Sequence, residues 1–375
     1  MKKRKWHSSD VIAISDDDDV IEVSPKKIPK IIINVDEEVF ENKSISSRIK
    51  LPARLLNQHI SPIEFEDHFT SISEYLFNNV ILYVNGGRQR CRILEVEFYL
   101  TTQSDIHPDP FTHCHPLHGR HAQWYFHQSV ERVNDHNFRE GTRKGLDITF
   151  GQEKSHFGGI LIRSMEEINT KNENNKKLMD GPSLCVDYIM DKNNVKCLRE
   201  LMTKFPNSRA LEIDCPSDFN NYPVHLSEYN FEKKYKVLSG SRVGLSLLSA
   251  SKQYVRSSFV LKQYRFYAHP VKVNKNKNQM VASMYIQEMK KKIDFTKVGC
   301  VLLKDAKLIN HISNVLCCSI KFTQHCVDLV LEGYKKSIVK KHDGTYDIEN
   351  MQDYFANTLT PNQVIMMHGV LFPLI

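Results

Sequence analysis

Two apolar runs on either side of Asn85-Gly86-Gly87 constrain the fold of this chain more than any other feature of its sequence. Residues 80–84 (VILYV) and 90–100 (RCRILEVEFYL) are rich in β-branched and aromatic side chains, which favour extended strands. Asn-Gly is the dipeptide that most favours a tight turn between antiparallel strands, so the sequence predicts a β-hairpin here.

Further elements follow from local patterns. Residues 63–77 place apolar side chains at helical spacing, and Gly181-Pro182-Ser183 is typical of a helix start. More strands are predicted at residues 123–128, 145–151, 159–165, 239–247 and 263–267. The pattern predicts a mixed α/β (α+β) domain at residues 50–268, with a curved, mostly antiparallel sheet and peripheral helices. A disordered tail (1–45), a linker (269–280) and a mainly helical extension (281–375) complete the predicted organisation.

Composition excludes several classes of protein. The 375 residues are 41% hydrophobic and 25% charged, which is typical of a globular chain and not of a wholly disordered one. We expect no membrane segment, because no apolar run reaches the ~20 residues of a membrane helix, and no export signal, because no apolar core follows the basic residues at the N-terminus. Nine cysteines without a CxxC pair indicate reduced thiols in the cytosol or nucleus.

Charge is distributed unevenly along the chain. The net charge is +7, and residues 1–50 carry ten basic and ten acidic residues, so the whole excess lies on residues 51–375. A basic folded part favours an anionic partner, nucleic acid first, although ordinary solubility charge is an alternative explanation.

The N-terminal 45 residues carry two kinds of short motif. Lys2-Lys3-Arg4-Lys5 is a basic cluster of the nuclear-import kind, so we expect a nuclear protein. Between residues 11 and 38, three β-branched stretches with adjacent acids resemble SUMO-interacting motifs, which add as a strand to a sheet edge. The alternative is that residues 31–35 form the first strand of the fold.

A polar and aromatic region at residues 95–163 is the best candidate for chemistry. Strand alternation places Glu95, Glu97 and Tyr99 on one face, which is unusual for a core strand; a solvated outer face is the alternative. A histidine-rich stretch follows, in which His113 and His115 could bind a metal together with His107 or His121. Their spacing fits no common zinc pattern, so we predict neither a metal nor a cofactor.

The order of several motifs resembles a known enzyme family. RCRILEVEFYL, then a histidine loop, a two-strand hairpin, GGILIRSM, GPSLC, SRVGL and YRFYA follow one another across residues 50–268. This order is similar to that of the alkyladenine (3-methyladenine) DNA glycosylases. The resemblance implies an enzyme that flips a modified base out of double-stranded DNA and hydrolyses its N-glycosidic bond.

The resemblance also implies roles for individual residues. Glu97 corresponds to the catalytic glutamate, and the base-binding residues correspond to Tyr99, His113, Asp147, Arg163 and, for the aromatic wall of the pocket, His127 or its neighbour Phe126. The family has asparagine where this chain has Asp147 and tyrosine where it has His127, so we expect a different base edge to be recognised. Residues 129–144 replace the family's short DNA-entering hairpin; this longer loop carries a predicted wedge, Phe138, among the predicted DNA-binding cations Arg132, Arg139, Arg143 and Lys144.

The same residue types suit glycosylase chemistry on physical grounds. A base held outside the stack needs an aromatic face, and bond hydrolysis needs a carboxylate to activate water. Two alternatives remain open from the sequence: a non-enzymatic reader of modified bases that is recruited through SUMO, and a hydrolase of free nucleosides, which would not need the basic loop.

Overall fold

The computed structural model of the chain describes residues 44–56, 62–102, 106–128, 138–152, 155–168, 177–206, 212–214, 222–245, 247, 253–292, 304–336, 354 and 359–372. The basic cluster, the three SUMO-interacting-like segments and Arg132 lie outside these residues. The first described residues already belong to the folded unit, because Ile45 and Ile49 are buried in its core.

The predicted hairpin is confirmed. Strand β1 (Val80–Val84) pairs antiparallel with β2 (Gln89–Thr102) across a turn at residues 85–88. Asn85 and Gly86 have φ values of 54° and 60°, in the left-handed region that asparagine and glycine tolerate best. The turn chemistry therefore fixes where β2 begins, and with it the register of the longest strand of the sheet.

The strands form one antiparallel sheet around β2. The remaining strands are β3 (His121–Phe126), β4 (Leu146–Phe150), β5 (His156–Glu167), β6 (Leu178–Asp180), β7 (Val224–Glu228), β8 (Leu238–Gly240) and β9 (Arg265–Tyr267). Their order is β3-β4-β5-β2-β1-β7; β6 pairs with β5, and β9 lies between β2 and β8. Between these nine strands of the described chain, every pairing is antiparallel.

Helices cover the sheet and extend the molecule. They are α1 (Ile45–Arg48), α2 (Pro62–Asn79), α3 (Pro182–Lys192), α4 (Leu198–Thr203), α5 (Gln253–Val260), α6 (Lys277–Lys292), α7 (Ala306–Leu316), α8 (Ile320–Lys335) and α9 (Pro361–Leu371). The apolar stripe of α2 is buried against β2, where Phe69 stacks on Phe98 at 4.4 Å between ring centroids. The mixed α/β class with a helical C-terminal part is therefore confirmed.

The C-terminal helices have a core of their own that continues onto the sheet. Residues of α6, α7, α8 and α9 pack around Leu94 of β2 and Tyr267 of β9. The stretch predicted as a linker contains the buried Val273 and the first turn of α6, which begins at Lys277.

The strand predicted at residues 239–247 was too long. Strand β8 ends at Gly240, and the chain then leaves the sheet as a loop with Gly244 at φ 76°. The polar groups of residues 241–243 form hydrogen bonds with three different parts of the molecule instead of continuing the strand pairing.

Candidate functional site

Two of the predicted site residues, Asp147 of β4 and Glu97 of β2, lie in one cross-strand row. Leu161 of β5 is paired with Asp147 on one side and with Glu97 on the other, and Glu97 is paired in turn with Arg265 of β9. Residues directly opposite in antiparallel strands point to the same face of the sheet. With ~4.8 Å between strands, the backbones at Asp147 and Glu97 are about 10 Å apart.

Glu97 is completely buried and accepts three hydrogen bonds. Its Oε2 atom accepts from the Tyr99 hydroxyl at 2.8 Å and from Nη1 of Arg163 at 3.2 Å, and Oε1 accepts from the backbone N–H of Val243 at 2.7 Å. An ionised carboxylate offers about four acceptor positions, so room remains for one further donor.

Two arginines neutralise the acidic pair on this face. Nε of Arg163 donates to Glu95 at 2.9 Å, and Nε of Arg265 donates to the same oxygen at 2.6 Å. Burial alone would lower the pKa of Arg163, but Glu97 and Glu95 outweigh it and raise that pKa above its usual value. The guanidinium thus stays charged and contacts carboxylates rather than solvent.

Tyr99 is half-buried beside Glu97, and its protonation state is fixed. Burial first, and the adjacent Glu97 charge second, raise the pKa of Tyr99 well above its usual value. The hydroxyl therefore stays protonated and donates a hydrogen bond to Glu97. The guanidinium carbon of Arg242 lies 4.6 Å from the centre of the Tyr99 ring. Arg242 is held in turn by a bidentate ion pair with Asp109, at 2.6 and 3.1 Å.

Asp147 is clamped between two histidines. His118 contacts one carboxylate oxygen through Nε2 at 3.0 Å, and His127 contacts the other through Nε2 at 2.8 Å. Burial would raise the pKa of Asp147, but the two histidines outweigh it and hold that pKa below its usual range. The Nδ1 atom of His118 meets the carbonyl oxygen of His113, so each ring nitrogen of His118 faces an acceptor.

His113 belongs to the same cluster through Tyr125. The Tyr125 hydroxyl accepts from the backbone N–H of Gln128 at 3.3 Å and lies 2.9 Å from Nδ1 of His113. Burial first, and the charge of His118 second, lower the pKa of His113 to about 4, so the imidazole ring is neutral near pH 7. A neutral imidazole has a single N–H, so Nδ1 either donates to the Tyr125 hydroxyl or accepts from it, and the second tautomer carries the N–H on Nε2.

Three of the four predicted DNA-binding residues that are described line a basic cleft, which we define by Phe138, Arg139, Lys144, Lys196 and Arg199. Its volume is about 480 Å³. Lys196 and Arg199, at the start of α4, are exposed; Lys144 also binds Asp187 at 2.6 Å. Arg143 is exposed at the end of the turn that closes the loop.

Phe138 lies at the base of its loop. It bridges to Gln128, is half-buried and packs against the main core, while Nε of Arg139 donates to the Gln128 carbonyl at 3.1 Å. The part of the loop before Phe138 lies outside the described residues, so the predicted wedge role stays a prediction.

Several residues of this site were missed by sequence reasoning. Tyr125 had a usable signal, because strand alternation puts it on the face of His127. Arg242, Arg265 and the N–H of Val243 had none, since they approach Glu97 or Asp109 across more than 130 residues of chain. Lys196 and Arg199 were similarly hidden, because only the fold brings α4 to the loop.

The described residues contain neither a candidate metal site nor a membrane-spanning helix. In these ranges, no group of three or more His, Cys, Asp or Glu side chains is arranged to hold a metal ion. No helix in the described part of the chain has the length and apolarity needed to cross a membrane.

The chain is similar in sequence to a viral protein. Over 194 residues the chain is 31% identical to uncharacterized protein L759 of Acanthamoeba polyphaga mimivirus, covering 48% of this chain and 80% of the viral protein. No protein-family model matches the chain. The chain therefore belongs to the same family as the mimivirus protein L759.

Proposed function

We propose that the protein is a DNA-glycosylase-like enzyme that flips a modified base and hydrolyses its N-glycosidic bond. The observation that carries the proposal is Glu97, a buried carboxylate with one acceptor position left, beside the half-buried Tyr99. A carboxylate so placed suits a water-activating base next to a surface on which a flipped base stacks.

In the proposed reaction, Glu97 takes a proton from water as the water oxygen bonds to the sugar C1′ carbon. The N-glycosidic bond breaks, and the base leaves with the electron pair of that bond. The carboxylate also stabilises the positive charge that develops on the sugar. Arg163 and Tyr99 keep Glu97 oriented, and no cofactor is needed.

We propose that the histidine cluster forms the side of the pocket that recognises the edge of the base. Asp147 is buried, and each of its carboxylate oxygens binds one imidazole, from His118 or His127. The side chain of His127 is 20% exposed, and in the tautomer whose Nδ1 accepts from Tyr125 the ring of His113 carries an N–H on Nε2. We infer that imidazole groups contact the base edge where the resembling family uses an amide, which suits a base that offers acceptors.

The basic cleft is the proposed contact for the phosphates of duplex DNA. Arg139, Lys144, Lys196 and Arg199 outnumber its one acid, Glu140. Phosphate contacts hold a protein in register on a duplex, while contacts to the base supply specificity.

A non-enzymatic reader of modified bases is the second candidate, favoured by the complete burial of Glu97. A buried carboxylate bound by an arginine, a tyrosine and a backbone amide also suits a purely structural role. The reader would use the same histidine cluster and the same basic cleft.

One assay separates these functions. Duplex oligonucleotides that each carry one modified base, and the matching free nucleosides, are incubated with the protein, and released base is measured by chromatography. The proposal predicts release from a duplex and none from nucleosides. Binding without release supports the reader, and release from nucleosides at an equal rate supports the hydrolase.

Nuclear localisation and SUMO binding are proposals for the N-terminal segments. The support is the basic cluster at residues 2–5 and the three β-branched, acidic stretches at 11–38. Titrating a peptide of residues 1–43 with SUMO, followed by NMR, tests the interaction. Chemical-shift changes along residues 11–38 are expected, and an unchanged spectrum at millimolar SUMO would contradict it.

A further inference from the structure

Three consecutive residues after β8 connect the catalytic face to the C-terminal helices. The Ser241 side chain points into those helices, Arg242 binds Asp109, and the N–H of Val243 binds Glu97. Ser241 and Arg242 are each 1% exposed, so the connection is buried.

The peptide unit between Arg242 and Val243 is held at both of its ends. Its carbonyl oxygen accepts from Nε2 of Gln279 on α6 at 2.7 Å, and its N–H donates to Glu97 at 2.7 Å. A trans peptide is planar, with C=O and N–H pointing in opposite directions. Fixing the carbonyl therefore fixes the direction of the N–H that reaches the carboxylate.

A second set of hydrogen bonds holds Ser241, the residue that precedes Arg242. Oγ of Ser241 accepts from Gln279 at 3.0 Å and lies 2.8 Å from Oγ of Ser283 and 2.7 Å from Nε2 of His368 on α9. The Nδ1 atom of His368 faces the Val364 carbonyl at 2.7 Å and must donate to it, so Nε2 accepts from Ser241. Burial lowers the pKa of His368 to about 4, which keeps this arrangement intact near pH 7.

We propose that Gln279 is a positioning residue for Glu97, and that the C-terminal helices thereby form part of the catalytic centre. Gln279 acts through the Arg242–Val243 peptide and does not touch the substrate. The inference rests on the proposed function for its catalytic consequence, but the hydrogen-bond relay exists whatever reaction Glu97 performs.

The chain offers a matched control on the same helix. Gln287 of α6 also donates to a backbone carbonyl near the loop, that of Ser239 in β8 at 3.4 Å, but it does not contact the Arg242–Val243 peptide. Loosening of the contact between α6 and this part of the chain would affect variants at both positions, whereas loss of positioning affects only Gln279.

The test compares Gln279→Met and Gln287→Met in the full-length protein. For Gln279→Met we expect single-turnover base release to fall roughly 10- to 100-fold, because a misplaced catalytic group costs about that much. DNA affinity should stay unchanged, and Gln287→Met should release base at the wild-type rate. Equal rates for Gln279→Met and wild type, or equal losses in both variants, would overturn the proposal.

A second readout needs no enzymatic activity. Hydrogen exchange of the Val243 amide should be faster in Gln279→Met than in wild type or in Gln287→Met. If Glu97 proves not to be catalytic, the proposed function fails while this exchange result still stands; an unchanged exchange rate overturns the relay itself. Should Gln279→Met fail to fold, Gln279→Glu removes the donor at nearly constant volume and is expected to show the same faster exchange.

Discussion

Buried carboxylates in the candidate site are each bound by one or two basic side chains. Asp109 binds Arg242, Glu95 binds Arg163 and Arg265, and Asp147 binds His118 and His127. Removing one partner of such a pair leaves an uncompensated buried charge, which costs roughly 3–5 kcal/mol of unfolding free energy. We therefore expect substitutions here to show first as losses of stability, and activity data need a stability control.

Asp147→Asn tests the histidine clamp. The variant keeps one acceptor oxygen but loses the charge, so we expect the unfolding free energy at pH 7 to fall by about 1–3 kcal/mol. Because the folded-state pKa of Asp147 lies below its usual value, the stabilisation is present above about pH 4 and is lost as the pH falls further. Urea unfolding at pH 7 and pH 3 should show that the difference in unfolding free energy between wild type and Asp147→Asn narrows at acid pH. A difference that does not change with pH would contradict the histidine clamp.

Strand β2 is the element that organises the site. Its first residues pair with β1, its middle pairs with β9 where Glu97 lies, and its other edge pairs with β5 throughout. The sequence predicted this strand, the hairpin turn and the shared face of Glu95, Glu97 and Tyr99, because all three depend on local patterns.

The rest of the site depends on contacts between distant parts of the chain. No local pattern indicates that Arg265 reaches Glu95, or that Ser241 ends a strand by turning toward His368. A buried arginine and a solvent-facing arginine look the same in a sequence, since only the fold supplies the partner.

Helix α4 contributes the cations of the basic cleft that the sequence did not predict. Arg199→Ala should flatten the salt dependence of DNA binding by about 0.9 in the slope of log K against log salt, as for one lost phosphate contact. Lys321→Ala on the exposed face of α8 is the control and should leave the slope unchanged. Equal slopes for Arg199→Ala and the wild type would contradict a contact between Arg199 of α4 and DNA phosphates.

Helices α8 and α9 cross closely enough to require glycine. A Cβ atom at Gly369 would lie 2.0 Å from the carbonyl oxygen of Val330, and neither backbone can yield easily. We expect Gly369→Ala to lower the unfolding free energy by about 1–3 kcal/mol or more and to displace the neighbouring His368. Thermal melts test this, with the exposed Asn362→Ala on the same helix as control; equal melting temperatures would contradict the close crossing.

At the scale of the whole molecule, sheet and C-terminal helices form one structure around the loop at residues 241–243. Leu94 and Tyr267 of the sheet belong to the core of the C-terminal helices, and the loop bonds to both parts. Truncation before α6 would therefore remove the groups that hold the Val243 amide. We expect such a truncated chain to lose the proposed activity.

The central claim is that Glu97 activates water for base release, and Glu97→Gln tests it most directly. Single-turnover release from a duplex substrate is measured for the wild type, Glu97→Gln and the control Glu288→Gln on α6, with DNA affinity measured alongside. Because a general base contributes typically 10²–10⁴-fold, we expect release by Glu97→Gln to fall by about 10³-fold. DNA affinity should be nearly unchanged, and Glu288→Gln should match the wild type. Release by Glu97→Gln at the wild-type rate would contradict the account.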